Sequence, residues 1–279
     1  MRYQIFQKLF ILLLLPISVW GQQNETISQY LNSLDKGLEV SLLVQQPTGE
    51  ILFSMNAEKS VPSASIIKIP ILMEFFRQIE SKTLHLDQMY ALEAKDKVGG
   101  AGELQNLEEN STHSLEFLAR EMIRISDNTA TNVLIGLVGM ENVNLLMEEL
   151  GLKTTRLNRY MMDFEAIEAG KQNITSPAEI NKLLSIILSG VELSTSSRES
   201  MLNMLLACAD KSTIPGKLPE GTRVAHKTGT LSYVRGDAGI ILNQKPIILS
   251  IFVENFETLE QADEIIANIA NLAFEAYAN

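Results

Sequence analysis

Ser65-Ile66-Ile67-Lys68, running on into Ile69-Pro70-Ile71-Leu72-Met73-Glu74-Phe75-Phe76, is the stretch on which the reading of this chain turns. A serine and a lysine three residues apart share one face of a helix, so the amine can approach the hydroxyl. A serine hydroxyl is a poor nucleophile at neutral pH and needs such a base within hydrogen-bond reach. Pro62 and Ser63 suit a helix start, which places Ser65 in the first turn. Free N–H groups and the positive end of the helix dipole there favour developing negative charge. Residues 66–76 are mostly Ile, Leu, Met and Phe, so Lys68 stands as the charge in a buried stretch. A buried lysine is costly without partners or a task, and burial near other cations moves it towards the neutral form that a base requires. Pro70 lacks a backbone donor and predicts a kink. Taken alone, a Ser-x-x-Lys is more often an ordinary helix N-terminus, so the rest of the chain has to decide.

Two further polar motifs follow. Ser126-Asp127-Asn128 interrupts residues 118–137, which are periodic as helix on both sides, and Asp127 reads as a cap for the helix beyond it. Lys227-Thr228-Gly229-Thr230 ends a strand-like run at 222–227 and can wall a cleft. There Lys227 supplies fixed positive charge, Thr228 a hydroxyl donor, and Gly229 lets a ligand lie close against the backbone. Arg235 is a second cation able to hold a carboxylate bidentately, its alternative being a surface ion pair with Asp237. His226 falls on the opposite face of the strand and carries no catalytic role.

In this order the three motifs resemble those of class A β-lactamases and penicillin-binding proteins. The resemblance covers nearly all the chain after its first 21 residues. It implies an α+β fold, an antiparallel sheet built from both chain termini and flanked by helices, with an inserted all-α lobe. The α/β lobe would take residues 22–60 and 212–279, the all-α lobe 61–211, and the active site the cleft between them. It also implies roles. Ser65 attacks a lactam carbonyl with Lys68 as base, and the N–H groups of Ser65 and Thr230 form the oxyanion hole. Ser126 passes a proton to the leaving nitrogen. Asn128 binds the substrate's side-chain amide and helps hold Lys68, while Lys227, Thr228, Thr230 and Arg235 bind substrate. No metal or cofactor is needed.

One part of the family pattern is missing. Class A enzymes carry a loop that opens with Arg-x-Glu and ends near Thr-x-Pro, its Glu activating the water that releases the acyl-enzyme. Here the loop reads Asn158-Arg159-Tyr160-Met161-Met162-Asp163-Phe164-Glu165 and closes at Thr175-Ser176-Pro177. Arg159 matches, Met161 stands at the Glu position, and a thioether cannot take a proton. Asp163 and Glu165 are the remaining carboxylates that could position water, with Glu165 preferred; for each the alternative is pairing with Arg159. The Gly-rich loop 97–105 resembles the rim of the family's active site, where flexibility suits substrate entry.

Composition bounds the rest. Arg2, Lys8, the apolar run 9–19 and Val19-Trp20-Gly21 read as an export signal over 1–21, with Gln22 as mature start and a periplasmic or secreted product. The run is about half of what spans a bilayer, so no membrane anchor is expected. A formal net charge of −11 disfavours nucleic acid and anionic membrane as partners. The 3 histidines, at 85, 113 and 226, lack metal-ligand spacing. Cys208, the single cysteine, excludes an internal disulfide and reads as a small core residue. The expected partner is a small-molecule β-lactam, and the expected state a monomer.

Coarse periodicity predicts a helix at 25–36 and strands at 39–45 and 51–55 around Pro47-Thr48-Gly49. A mainly helical stretch at 62–206 follows, including a capping box of Ser176, Pro177 and Glu179. Strands at 222–227, 239–242 and 247–253, a hairpin turn at 243–246 and a helix at 259–277 complete the chain. Three functions fit: a secreted serine β-lactamase, a D-Ala-D-Ala-directed acyl transferase that releases slowly, and a non-catalytic binder. The first two share every motif; the first leads, because the missing Glu counts for the second while the compact single-unit size and expected lack of an anchor count against it.

Overall fold

The sheet is made from the two ends of the chain, as its apolar runs foretell. The computed structural model describes residues 17–278. Of the expected export signal only 17–21 fall inside that range. They open α1 (Ile17–Ser33), which ends short of the predicted residue 36. The other helices are α2 (Lys68–Glu80), α3 (Leu115–Arg124), α4 (Asn128–Val138), α5 (Met140–Glu149), α6 (Phe164–Glu168), α7 (Pro177–Ser189), α8 (Thr195–Leu206) and α9 (Leu259–Ala273). Strands β1 (Glu39–Gln45) and β2 (Ile51–Met55) are followed by the short strands β3 (Val61–Pro62), β4 (Met89–Ala91), β5 (Thr112–Ser114) and β6 (Ile174–Thr175). Three long strands then close the sheet: β7 (Arg223–Leu231), β8 (Val234–Leu242) and β9 (Ile247–Glu254). The five-stranded order is β2-β1-β9-β8-β7, antiparallel throughout. β3 pairs with β6, and β4 with β5.

Alternation along β9 divides the core in two. Ile247, Leu249, Ile251 and Val253 turn towards α1 and α9, packing with Ile27, Leu31, Ile265, Ile266 and Ile269. Ile248 and Phe252 turn the other way, into a second core with Ile66, Leu72, Phe75, Leu134 and Leu183 from the helical insertion. A strand covered on both faces reads as an unbroken apolar run, which is why 247–253 shows no polar alternation. α2 is buried along nearly its whole length, Lys68, Glu74 and Gln78 included.

Several local expectations need correction. Lys68 is not the only buried charge of its helix, since Glu74 is buried as well and pairs with Arg77 Nε at 2.7 Å. Pro70 lies within the first turn of α2, where N–H groups have no helical partner in any case, so it costs no hydrogen bond. Ser176 does cap α7 through the Glu179 N–H, but the Glu179 carboxylate does not close the box. It accepts instead from the N–H groups of Lys153, Thr154 and Thr155, tying α7 to the preceding loop. β8 begins five residues earlier than its apolar content suggests, because Val234, Arg235 and Asp237 are buried with it.

Candidate active site

Ser65 sits in a tight 3-10 turn, Ala64–Ile67, that feeds α2, not inside the first α-helical turn as its position after Pro62 and Ser63 suggests. The side chain of Ser63 makes no cap; its N–H is held by the carbonyl of Asn173 at 2.9 Å, beside the β3–β6 pair. Ala64 takes a φ of 45°, in the left-handed region that a side chain disfavours, and such strain clusters at functional sites. Against this turn lies Gly229 of β7. A Cβ there would stand 3.0 Å from the Ser63 carbonyl and 3.1 Å from the Ser65 nitrogen. The missing side chain therefore makes room for the protein's own backbone and not, as the sequence suggests, for a ligand. It seats the strand carrying Thr230 against the turn carrying Ser65, the two residues expected to supply oxyanion donors.

Lys68 is wholly buried. Its Nζ lies 3.2 Å from Ser65 Oγ, 2.7 Å from the Ser126 carbonyl, 2.8 Å from Ser126 Oγ and 3.1 Å from Asn128 Oδ1. An ammonium has three N–H groups, one fewer than the oxygens gathered here. Ser65 is the most distant of the four. Once the amine is neutral its lone pair can face Ser65, whose hydroxyl then donates. Burial, and next the charge of Lys227, push the Lys68 pKa well down, against a smaller pull upward from Asp127. The environment thus favours the neutral base.

The Ser126-Asp127-Asn128 turn is built around Asp127. Its Oδ1 caps α4 by accepting from the Ala130 N–H at 2.8 Å. Its Oδ2 accepts from the N–H groups of Glu103 and Leu104 at 2.7 and 2.9 Å. Ser126 takes a φ of 59°, which turns both its hydroxyl and its carbonyl onto Lys68. Asn128 joins two elements, accepting from Lys68 and donating Nδ2 to the Gly99 carbonyl at 3.1 Å. The Gly-rich loop is therefore latched rather than free. A Cβ on Gly102 would meet the Asp127 carboxylate at 2.1 Å, and Gln105 donates to the carbonyls of Gly100 and Gly102.

These groups open on a cavity of about 620 Å³ lined by Ser65, Ser126, Asn128, Lys227, Thr228, Thr230 and Arg235, with Arg124, Met162, Cys208 and Asp210 completing the wall. Lys68 lies beneath it. Lys227 Nζ donates to the Thr228 carbonyl at 2.8 Å, and burial lowers its pKa while nearby acids counter that. Arg235 stands directly across the ladder from Thr230 and donates Nη1 to Thr230 Oγ1 at 2.7 Å. Its other nitrogens are taken by Asp263 at 2.6 Å, Asp210 at 2.8 Å and Ser212 at 3.0 Å. Asp237, its expected ion-pair partner, pairs with His226 instead. An arginine held this way is less a free anion clamp than a brace for the Thr230 side chain.

The loop carboxylates fare differently. Asp163 caps α6 by accepting from the Ala166 N–H at 2.9 Å, and Glu165 is exposed in the first turn of that helix. Neither lines the cavity, so the structure does not bring either predicted water base to Ser65. Nor does Arg159 form an ion pair with them. It donates to Gln172 Oε1 at 2.8 Å from Nη2 and to the Tyr160 carbonyl at 2.9 Å. Met162, at a φ of 60°, lines the cavity on this side.

Sequence reasoning missed Asn132, whose amide holds the backbone of Met161, and Asp210, which neutralises Arg235. Asn132 lies four residues after Asn128 and so on the same face of α4, a spacing that could have singled it out. Asp210 carries no comparable local signal.

A Ser–Lys–Ser relay, its lysine buried and its two serines facing a cleft between a helical insertion and an antiparallel sheet, defines a serine hydrolase of the class A type. The chain belongs to the β-lactamase enzyme family, whose description it matches over residues 22–277. It superimposes on a β-lactamase from Sphaerobacter thermophilus at a TM-score of 0.82, with 30% identity over 92% of this chain and 97% of that one. It superimposes equally on PBP-A, at a TM-score of 0.83, with 28% identity and coverage of 91% and 95%. A mutant of PBP-A, 27% identical at a TM-score of 0.80 and covering 92% of this chain and 95% of that one, is an acyl-enzyme complex with penicillin G. β-Lactamase 3 of Bacillus cereus is 32% identical over 170 residues, which are 58% of this chain and 54% of the Bacillus enzyme.

Proposed function

We propose that the protein opens β-lactam amides through a Ser65 acyl-enzyme, as an exported serine β-lactamase whose release step is slow. The observation that carries this reading is the four-way contact of Lys68 Nζ with Ser65 Oγ, both oxygens of Ser126 and Asn128 Oδ1. Neutral Lys68 takes the Ser65 proton as Oγ bonds to the lactam carbonyl carbon. The carbonyl oxygen becomes an oxyanion facing the N–H groups of Ser65 and Thr230, where one donor is typically worth about 2.7–4 kcal/mol. Lys68 then returns the proton through Ser126 Oγ, 2.8 Å away, to the lactam nitrogen as the C–N bond breaks. Lys227, Thr228 and Asn128 line the wall that a substrate carboxylate and side-chain amide would meet.

Slow release follows from the same wall. Its one carboxylate among the described residues is Asp210, already bound by Arg235, and Met161 stands where water activation is expected. The same feature supports a second reading, an acyl transferase directed at D-Ala-D-Ala-like peptides. A chromogenic cephalosporin separates the two. A burst of one product per Ser65 followed by slow steady turnover fits the first; a stable stoichiometric adduct with cleavage of a D-Ala-D-Ala peptide fits the second. An adduct that survives Ser65→Ala would overturn both.

A further inference from the structure

Cys208, His226 and Asp237 form a buried row to which the chemistry above gives no part. His226 Nδ1 lies 2.9 and 3.0 Å from the two oxygens of Asp237. Asp237 is itself fixed by Thr213 Oγ1 at 2.6 Å and the Ile214 N–H at 3.1 Å, so it cannot turn away. Gly239, opposite His226 on β8, leaves the space for the ring, since a Cβ there would stand 2.5 Å from His226 Cβ. With Nδ1 committed to the carboxylate, Nε2 is left with no hydrogen-bond partner although the residue is 0% exposed. A buried donor without a partner is expensive. Cys208 is close enough to the imidazole for each to move the other's pKa, and its thiol is buried yet lines the active-site cavity.

Charge agrees with the geometry. Burial works against the imidazolium, but Asp237 and then Cys208 raise the His226 pKa to about 9. Burial works against the thiolate, but His226 and Lys227 bring Cys208 below its ordinary value, against a smaller opposing push from Asp237. Asp210, Arg124 and Arg235 are the other charged groups on the cavity wall. A carboxylate that orients an imidazole, which in turn faces a thiol, is the general arrangement for an activated nucleophile.

We propose that Cys208 is a second nucleophile of this cavity, oriented by His226 and Asp237, and a site of mixed-disulfide formation with small disulfides that enter the cleft. The thiolate attacks one sulfur of the disulfide. A bond forms between Cys208 Sγ and that sulfur, the reagent's own S–S bond breaks, and the departing thiolate takes a proton from solvent. Cys208 is oxidised and the departing half of the reagent reduced, so the disulfide is the only co-reactant.

The test is incubation of the full folded chain with bis(2-hydroxyethyl) disulfide, followed by intact-mass measurement and peptide mapping. One adduct is expected, on Cys208, at a rate that rises less steeply between about pH 6 and pH 8 than the roughly hundredfold rise of an ordinary thiol. Cys208→Ala should remove the adduct, and Asp237→Asn or His226→Gln should restore the ordinary pH slope. The pH profile of the unaltered chain decides the matter even where those variants fail to fold. A folded chain that stays unlabelled while the urea-unfolded chain reacts overturns the proposal, as does an ordinary pH slope. The adduct is read whether or not Ser65 reacts with β-lactams, so the two proposals fail separately.

Discussion

Asn132 and Met161 exchange two hydrogen bonds: the Asn132 amide donates to the Met161 carbonyl at 3.1 Å, and the Met161 N–H donates to Asn132 Oδ1 at 2.8 Å. Asn132 is one helical turn beyond Asn128, which accepts from Lys68. The backbone at 161 is therefore tied to α4 one turn beyond the relay whatever side chain it bears, and the Met161 side chain is buried in the core of the helical insertion.

That arrangement predicts a gain of function. Met161→Glu should shorten the lifetime of a penicillin adduct on Ser65 by about 10²–10⁴-fold, the usual worth of a positioned general base. Time-resolved intact-mass measurement of adduct decay reads it directly. An unchanged lifetime in a folded variant would mean that the side chain at 161 does not reach the acyl carbon. Glu165→Gln and Asp163→Asn should leave the lifetime unaltered, since Asp163 is committed to capping α6 and Glu165 is exposed in the first turn of that helix.

Lys68 gives a prediction in pH. Its pKa lies well below the lysine value of 10.5, first through burial and then through Lys227, and the neutral amine is the reactive form. The acylation rate of Ser65 should rise with pH and level off above that lowered pKa, because the deprotonated fraction grows until the group is fully neutral. Lys68→Arg, which keeps its proton, should cut acylation by about 10²–10⁴-fold and abolish the rise. Stopped-flow acylation rates across pH give both numbers. A flat profile in the unaltered protein would exclude Lys68 as the base.

The reach of sequence reading differed from element to element for physical reasons. β1 and β9 were legible because strands buried on both faces keep long apolar runs, whereas β2, an edge strand with Ile51 and Ser54 exposed, was legible from the turn residues Pro47-Thr48-Gly49 before it. Ser65, Lys68, Ser126 and Asn128 were legible as motifs, since each pair is fixed by helix or turn geometry. The early part of β8 was not, because its burial comes with Arg235 and Asp237, polar residues whose partners lie on distant segments. Arg235 faces Thr230 only through a two-residue turn at Ser232-Tyr233, and that pair lacks the Asn-Gly or Gly-led chemistry by which tight hairpins are recognised. The fate of Asp163 and Glu165 hung on where α6 begins, and helix boundaries are poorly specified by local sequence.

Gly102 should tolerate no side chain. Its φ of 104° is strained for any other residue, and an added Cβ would collide with the Asp127 carboxylate and with its Cα at 2.4 Å. Asp127 holds the turn that aims Ser126 at Lys68, so damage at Gly102 should reach the chemistry. Gly102→Ala is expected to lower stability by more than about 1 kcal/mol and to slow acylation together with it. Gly170→Ala is the control: its φ of 77° is also strained, but nothing lies within 4 Å, so only the stability loss should appear. Denaturant unfolding beside acylation kinetics separates the two effects, and equal acylation in both variants would show that the latch is dispensable.

Arg235 and Asp210 predict the acid limb of stability. Burial alone would raise the Asp210 pKa, but the hydrogen bond and charge of Arg235 hold it well below its ordinary 3.8. A carboxylate depressed in the folded state releases its proton more readily there than in the unfolded chain. Its stabilising contribution is full above the unfolded pKa of about 3.9 and is lost as pH falls through the folded value. Asp210→Asn should therefore be less stable than the parent at neutral pH, with the gap closing below about pH 4. Arg235→Ala should cost more, at the low end of about 3–5 kcal/mol, because it strands two acids that keep partial access to solvent. Urea unfolding at a series of pH values measures both. A gap between parent and Asp210→Asn that stays constant down to low pH would show that the ion pair contributes nothing to folding, and that Arg235 serves only to hold Thr230.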